Sequence, residues 1–363
     1  MAVIQPNEVL DALKTIQHPG QKGDIVTLGL IHKLEVQNGK TSFGLDVSTL
    51  EGPEREQILA RARAVVQEID LAGEVLVTPV TPAKPSPGEG ETILKGVKNV
   101  IAVASGKGGV GKSTVAANLV LALKAAGASV GLLDADIYGP SMPTMFKVSG
   151  PLHDTGDNRI LPIMSQGVHL MSIGFLAEKG LPMIWRGPMV ANMLQQMLGQ
   201  VAWPGLDFLV VDLPPGTGDA QLTLCQTVSL NGAIIVTTPQ EISLIDAHRG
   251  LEMFRKLNVP VLGLVENMSG FTCAHCGEVT HIFSEGGGQR IAKQLKVPLL
   301  ASIPLDPEVV TSGDEGQPIV ARNPESPGAR AFKTAAEAIT ERLQTLQKKN
   351  AKTPDSSSMN LTW

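Results

Sequence analysis

Aromatic side chains are scarce, with one tyrosine, three tryptophans and eight phenylalanines in 363 residues. A surface that stacks nucleic-acid bases needs rings and a basic face, and a formal net charge of −5 supplies neither. No nucleic-acid partner is expected. Cysteine is rarer still: Cys225, Cys273 and Cys276 are too few for a disulfide framework in a chain of this length and suit a reducing compartment, the cytoplasm. A run of about 18 apolar residues is also missing, and Met1-Ala-Val-Ile-Gln-Pro6 has no charged segment followed by an apolar core, so neither a membrane span nor a signal peptide is expected. What is plentiful is apolar residues, 43% of the chain, enough to bury a large core in two domains.

The most informative stretch runs from Val100 to Thr114, where an aliphatic strand opens into Ser105-Gly-Lys-Gly-Gly-Val-Gly-Lys-Ser-Thr114. Gly106, Gly111, Lys112 and Ser113 satisfy the GxxxxGK[ST] spacing of a phosphate-binding loop. Small residues at Gly106, Gly108, Gly109 and Gly111, with Lys107, Val110 and Thr114 between and after them, let backbone N–H groups wrap phosphates. Lys112 then meets the β and γ oxygens, and the Ser113 hydroxyl holds Mg²⁺. An apolar-striped helix over 115–126 completes the strand–loop–helix context that the motif requires. The expected ligand is therefore ATP with Mg²⁺.

The loop carries a second lysine, Lys107. In this it resembles the deviant Walker A family, which includes the MinD and ParA ATPases, the nitrogenase iron protein and the Mrp-type iron–sulfur carriers. The resemblance implies a nucleotide-sandwich homodimer in which Lys107 reaches the partner's phosphates, and a cation delivered across an interface would neutralise the transferred phosphoryl as an arginine finger does.

Residues 1–80 read as a small α+β unit, with helices over 8–16 and 53–69, strands over 24–35, 41–48 and 74–81, and a hairpin turn at Gly39. A Pro- and Gly-rich linker follows over 81–96. From 97 to 346 aliphatic strands over 100–104, 129–134, 208–212, 233–238, 261–265 and 299–303 alternate with helix-length segments, predicting an α/β domain with a doubly wound parallel sheet. The polar stretch 347–363 reads as a disordered tail.

Open α/β sheets bind ligands at the carboxyl ends of their strands. Two ends carry carboxylates: Asp134-Ala-Asp136-Ile-Tyr-Gly-Pro-Ser141, resembling the family's switch I, and Asp212-Leu-Pro-Pro-Gly-Thr-Gly-Asp219, resembling its Walker B and switch II segment. Asp212 is the candidate Mg²⁺ ligand, through water, and Asp136 the candidate for orienting the attacking water, so Lys107, Lys112 and Asp136 form the expected catalytic set. By the same resemblance, adenine is met by Asn267 and by Asp306, in Ile303-Pro-Leu-Asp306, along with Thr238-Pro-Gln-Glu241. Cys225 reads as a buried core thiol.

Cys273-Ala-His-Cys276-Gly277 is expected in a loop after Asn267. Two thiolates at this spacing can share a metal, yet structural zinc and [4Fe–4S] clusters both want four ligands, so one chain supplies half a site. Completion of a zinc site by His275 or His281, a redox pair, and a two-fold dimer giving Cys273 and Cys276 from each subunit are the alternatives.

Together these segments, with Trp185-Arg-Gly-Pro188, resemble in order the Mrp/ApbC-type iron–sulfur cluster carrier ATPases, and the paired cysteines separate that family from MinD- and ParA-like relatives. The resemblance implies ATP hydrolysis, a [4Fe–4S] cluster shared by Cys273 and Cys276 across the dimer, apoproteins as recipients and scaffold proteins of cluster assembly as further partners; no membrane partner is expected, since the sequence shows no basic patch or C-terminal amphipathic helix. A MinD- or ParA-like dimeric ATPase with a structural zinc or redox pair is the alternative. The N-terminal unit is similar to the MIP18 domain fused to bacterial carriers, although His18-Pro19-Gly20 stands where those domains usually have Asp-Pro-Glu.

Overall fold

The computed structural model describes residues 6–19, 23–28, 30–37, 40–47, 50, 52–69, 73–80, 94, 96–156, 159–175, 187–273 and 275–350. The chain divides into two compact units, 1–90 and 91–363.

In the first unit the order is α1 (Pro6–Leu13), β1 (Ile31–Gln37), β2 (Lys40–Asp46), α2 (Pro53–Ile69) and β3 (Glu74–Val80). Strand β2 is central, antiparallel to β1 and parallel to β3. Val9 and Leu13 of α1, Ile58, Ala62 and Val66 of α2, and Phe43 and Leu45 of β2 close one buried cluster. The first strand starts later than its sequence suggests. Asp24 holds the preceding segment in a turn, its carboxylate accepting from the Val26 and Thr27 amides at 3.0 and 2.8 Å and from the Thr27 hydroxyl at 2.6 Å. The β1–β2 register closes at Gln37 opposite Lys40, while the turn residue Gly39 lies outside the described residues. His18 is buried and its amide donates to the Gly23 carbonyl at 3.0 Å.

The second unit runs β4 (Val97–Ser105), α3 (Lys112–Ala125), β5 (Val130–Asp134), α4 (Met142–Met145), β6 (Ile163–Ser165), β7 (Val168–Ser172), α5 (Gly187–Gly199), β8 (Leu206–Asp212), α6 (Asp219–Thr227), β9 (Gly232–Thr237), α7 (Glu241–Lys256), β10 (Val261–Thr272), β11 (Val279–Thr280), α8 (Gly287–Leu295), β12 (Leu299–Leu305), α9 (Pro307–Asp314), α10 (Ile319–Arg322) and α11 (Pro327–Asn350). Strands β12, β10, β9, β4, β8, β5 and β7 lie side by side in parallel, with β6 antiparallel at one edge and β11 antiparallel to the far end of β10.

Both faces of the sheet are covered, which explains the unbroken apolar strands. Along β4, Val100, Ala102 and Ala104 enter one core layer while Ile101 and Val103 enter the other. Helix α3 is buried along most of its length, Val115 through Leu123, because the sheet, α10 and α11 pack around it. Every strand expected in this region is present.

Three local features differ from expectation. The β6–β7 hairpin has no counterpart among the expected strands, its own being only three and five residues long. The strand expected over 261–265 continues to Thr272 and returns through β11, so the loop expected to carry the cysteine pair is the connection of a hairpin. Helix α11 extends to Asn350, so 347–350 belong to the folded unit, and 351–363 lie outside the described residues, as do 81–93 of the linker together with Trp185 and Arg186.

Candidate functional site

The phosphate loop leaves the end of β4 at the centre of the sheet, where β8 pairs on one side and β9 on the other. That reversal of strand order opens a crevice for a ligand. Gly106 is dictated by close approach: a Cβ there would lie 2.1 Å from the Asp246 carbonyl of α7. The Ser105 hydroxyl donates to the Lys107 carbonyl at 2.9 Å, fixing the first turn of the loop.

Lys112, Asp136 and Asp212 converge. The Lys112 ammonium lies 2.7 Å from Asp212 Oδ1 and 3.6 Å from Asp136 Oδ2, and all three residues are buried. The Ser113 hydroxyl is 3.4 Å from the same ammonium. Asp212 Oδ2 is buried without a hydrogen-bond partner. An orphaned carboxylate oxygen beside a hydroxyl, in a site built for phosphates, fits a hard oxygen-seeking cation such as Mg²⁺. Burial pushes the Asp212 carboxyl up, against the opposing pull of Lys112.

Asp134 has a different task from its neighbour Asp136. It is fully buried and accepts from the amides of Asp136, Ser141 and Met142 at 3.2, 3.1 and 3.1 Å and from the Ser172 hydroxyl at 2.8 Å. It therefore folds the Asp134–Ser141 segment around itself. Burial, and next the charge of Asp212, push its carboxyl up to about 7. Gln221 does the same for the second segment, its Nε2 donating to the carbonyls of Pro214 and Gly216 at 2.7 and 3.0 Å. No sequence signal marks that glutamine, because its role depends on where α6 sits. Glu266 also carried no signal: this buried carboxylate caps α8 by accepting from the Gly288 amide.

Asn267 stands against the phosphate loop, its Nδ2 donating to the Val110 carbonyl at 2.9 Å. Asp306 caps α9, accepting from the Glu308 amide at 2.8 Å. Lys107, Gly108 and Gly109 face outward, from half-buried to exposed, and the Thr114 carbonyl accepts from Asn118 at 2.9 Å.

Cys273 follows β10 directly. Its amide donates to the Glu278 carbonyl at 2.9 Å, and the Gly277 amide donates back to the Cys273 carbonyl at 2.9 Å. Gly277 has φ +73°, the left-handed turn that brings the chain back. The backbone amides of Cys276 and His275 point at the Cys273 sulfur and lower its thiol pKa. Cys273 is half-buried and Cys276 exposed. The result is a knuckle that presents two thiols close together in sequence, one of them favouring the thiolate, and among the described residues no cluster of three or more His, Cys, Asp or Glu side chains completes a metal site. Cys225, by contrast, packs partly buried against the core, and burial pushes its thiol up to about 11. No helix among the described residues is long and apolar enough to cross a membrane.

A family model described as NUBPL iron-transfer P-loop NTPase matches residues 96–340, and one described as iron–sulfur cluster assembly protein matches residues 6–77. An iron–sulfur cluster carrier protein of Synechocystis sp. is 44% identical over 344 residues, covering 93% of this chain and 97% of the relative. The iron–sulfur cluster transfer protein NUBPL of Mus musculus is 49% identical over 253 residues, 69% of this chain and 79% of that one. Among solved structures, the nucleotide-binding protein of Archaeoglobus fulgidus in complex with ADP is 40% identical with a TM-score of 0.58, covering 66% of this chain and 93% of the other. The cell division ATPase MinD of Pyrococcus furiosus is 26% identical with a TM-score of 0.51, over 67% and 98%. Phosphate loop, strand-end carboxylates and cysteine knuckle all fall inside the matched stretch, and the chain belongs to the NUBPL iron-transfer P-loop NTPase family.

Proposed function

We propose that the chain is an ATP-hydrolysing iron–sulfur cluster carrier that holds a [4Fe–4S] cluster between two copies of itself and passes it to apoproteins. The observation that carries this reading is the knuckle: two thiols on one hairpin, with no further ligand cluster among the described residues, on the same sheet as a two-lysine phosphate loop. A second copy related by a two-fold axis brings the ligand count to the four a cubane cluster wants.

The nucleotide chemistry follows from the buried trio. Lys112 gives its charge to the β and γ oxygens of ATP, and Lys107 of the second copy adds another cation at the transferred group. Ser113 and Asp212 would hold Mg²⁺, which would supply positive charge beside the phosphates. Asp136 orients a water for attack on the γ-phosphorus. The bond to the β,γ-bridging oxygen breaks, and ADP and phosphate leave. With Asn267 Nδ2 held by Val110, its Oδ1 is the atom that meets the adenine amine, and Asp306 lies at the end of the neighbouring strand. A free thiol pair, one half-buried and one exposed, suits the cytoplasm. The domain organisation read from the sequence, a small unit to residue 80 and a carrier ATPase unit from 97, goes with this reading, scaffold proteins of cluster assembly being the natural donors.

Anaerobic reconstitution with iron and sulfide tests the proposal, with absorbance, iron per dimer and transfer to an apoprotein as readouts, for wild type beside Cys273→Ala/Cys276→Ala. About four irons per dimer, lost in the double variant, is the expected result. Tight zinc with no cluster uptake would sink the carrier reading and leave a dimeric ATPase with a structural staple.

A further inference from the structure

Strand β10 touches both the phosphate loop and the cysteine knuckle. At Asn267, 8% exposed, the side-chain amide donates to the Val110 carbonyl inside the phosphate loop at 2.9 Å. The contact is tight, since a Cβ at Gly111 would lie 2.2 Å from the same nitrogen. At the far end of the strand Cys273 follows Thr272 directly.

Between these two points the ladder slips. Asn267 faces Ile303 and Phe271 faces Leu305, so four steps along β10 are taken against two along β12. Met268, in the excess, has φ +58°, a region that a non-glycine side chain occupies only where its surroundings impose it. Ser269 ties the excess on both sides: its hydroxyl donates to the Ile303 carbonyl at 3.0 Å, and its own carbonyl meets His281 Nδ1 at 3.1 Å on the segment after β11. A continuous ladder would clamp the hairpin to the sheet. A bulge instead lets the stem beyond it take a second arrangement without breaking the pairing behind it.

We propose that the bulge from Met268 to Gly270 is the coupling element between nucleotide and cysteines: phosphates entering the loop displace the Val110 carbonyl, Asn267 follows, and the bulge passes the shift to the Cys273 stem. Asn267 and Met268 are positioning residues in this scheme. The inference rests on the nucleotide half of the proposed function and not on the cluster.

The test uses the full chain, reduced and metal-free, with iodoacetamide modification of Cys273 and Cys276 followed by peptide mass spectrometry. Rates are taken with and without saturating Mg²⁺ and a non-hydrolysable ATP analogue, with saturation fixed by calorimetry. In wild type the nucleotide changes the rate by about fivefold or more, the lower end of ordinary coupling between sites. Met268→Gly relaxes the left-handed position while keeping the Asn267 anchor, so it binds the analogue as wild type does but loses the rate change. Asn267→Ala loses it as well at saturation. Equal rates in wild type, or a Met268→Gly chain that keeps the full response, overturn the coupling; the second outcome would mean that shielding by a second copy, and not the strand, protects the thiols. Cluster reconstitution is unaffected by either result. A wild-type chain that binds no nucleotide removes the nucleotide half of the function, and the coupling falls with it.

Discussion

Lys112 Nζ sits 2.7 Å from Asp212 Oδ1, with 6% of the lysine side chain exposed and none of the aspartate. The lysine proposed to bind phosphate and the carboxylate proposed to hold Mg²⁺ thus neutralise each other at the place where those ligands would divide them. Neither charge is buried alone, and a small exchange of partners readies the site.

Removing one member of that pair leaves the other unpaired. Lys112→Ala is expected to lower stability by about 3–5 kcal/mol, the usual loss when one partner of a buried ion pair is deleted. The Lys112→Ala/Asp212→Ala chain recovers part of it. Urea unfolding of the two single variants, the double variant and wild type measures the coupling, and strictly additive losses would contradict it.

Asp134 sets a pH dependence of stability. Its folded pKa of about 7 lies above its ordinary 3.8, so the folded chain keeps this proton longer than the unfolded one. The contribution of this group to stability therefore falls as pH rises from about 3.8 to about 7 and changes no further above that. Asp134→Asn cannot ionise. The stability difference between wild type and Asp134→Asn should shrink, or move in favour of the variant, on going from pH 5 to pH 8 in thermal melts. A difference independent of pH would refute the assignment.

The three thiols should react in a fixed order. Cys276 is exposed and the Cys273 thiol is lowered by the amides aimed at it, whereas burial pushes the Cys225 thiol up to about 11. Iodoacetamide at pH 7.5 is expected to label Cys273 and Cys276 while Cys225 stays unmodified until the chain unfolds. Early labelling of Cys225 would show that its packing is loose.

Lys107 offers a test of the shared site. Lys107→Ala and Lys112→Ala chains should each be inactive in ATP hydrolysis, yet a mixture should regain activity, because each mixed dimer then holds one site with both lysines intact. Phosphate release from the mixture measures this. A mixture as inactive as its parts would place Lys107 in its own chain's site or outside the chemistry.

Much of this was legible in one dimension. The six aliphatic strands are unbroken because both sheet faces are covered, and alternate residues of β4 do enter opposite core layers. The loop 105–114 announced a phosphate site through its own residue types, since the backbone of glycines and the lysine after them form the cradle. The N-terminal strand is shorter than 24–35, since the apolar residues of that stretch hide the turn that Asp24 imposes.

The phosphate loop, the order of strands and helices and the pair of thiols with two residues between them are legible in the chain alone, because each is written in neighbouring residues and local backbone geometry. Which partners each carboxylate meets follows from the fold. Asp134 and Asp136 are two residues apart, yet Asp134 is enclosed by the amides of its own loop while Asp136 turns to Lys112, and Asp212, remote in sequence, completes the trio. The link from Val110 through Asn267 to Cys273 likewise exists only once β10 lies beside the loop, since hydrogen bonds across 157 positions of chain follow from sheet order and not from any local pattern.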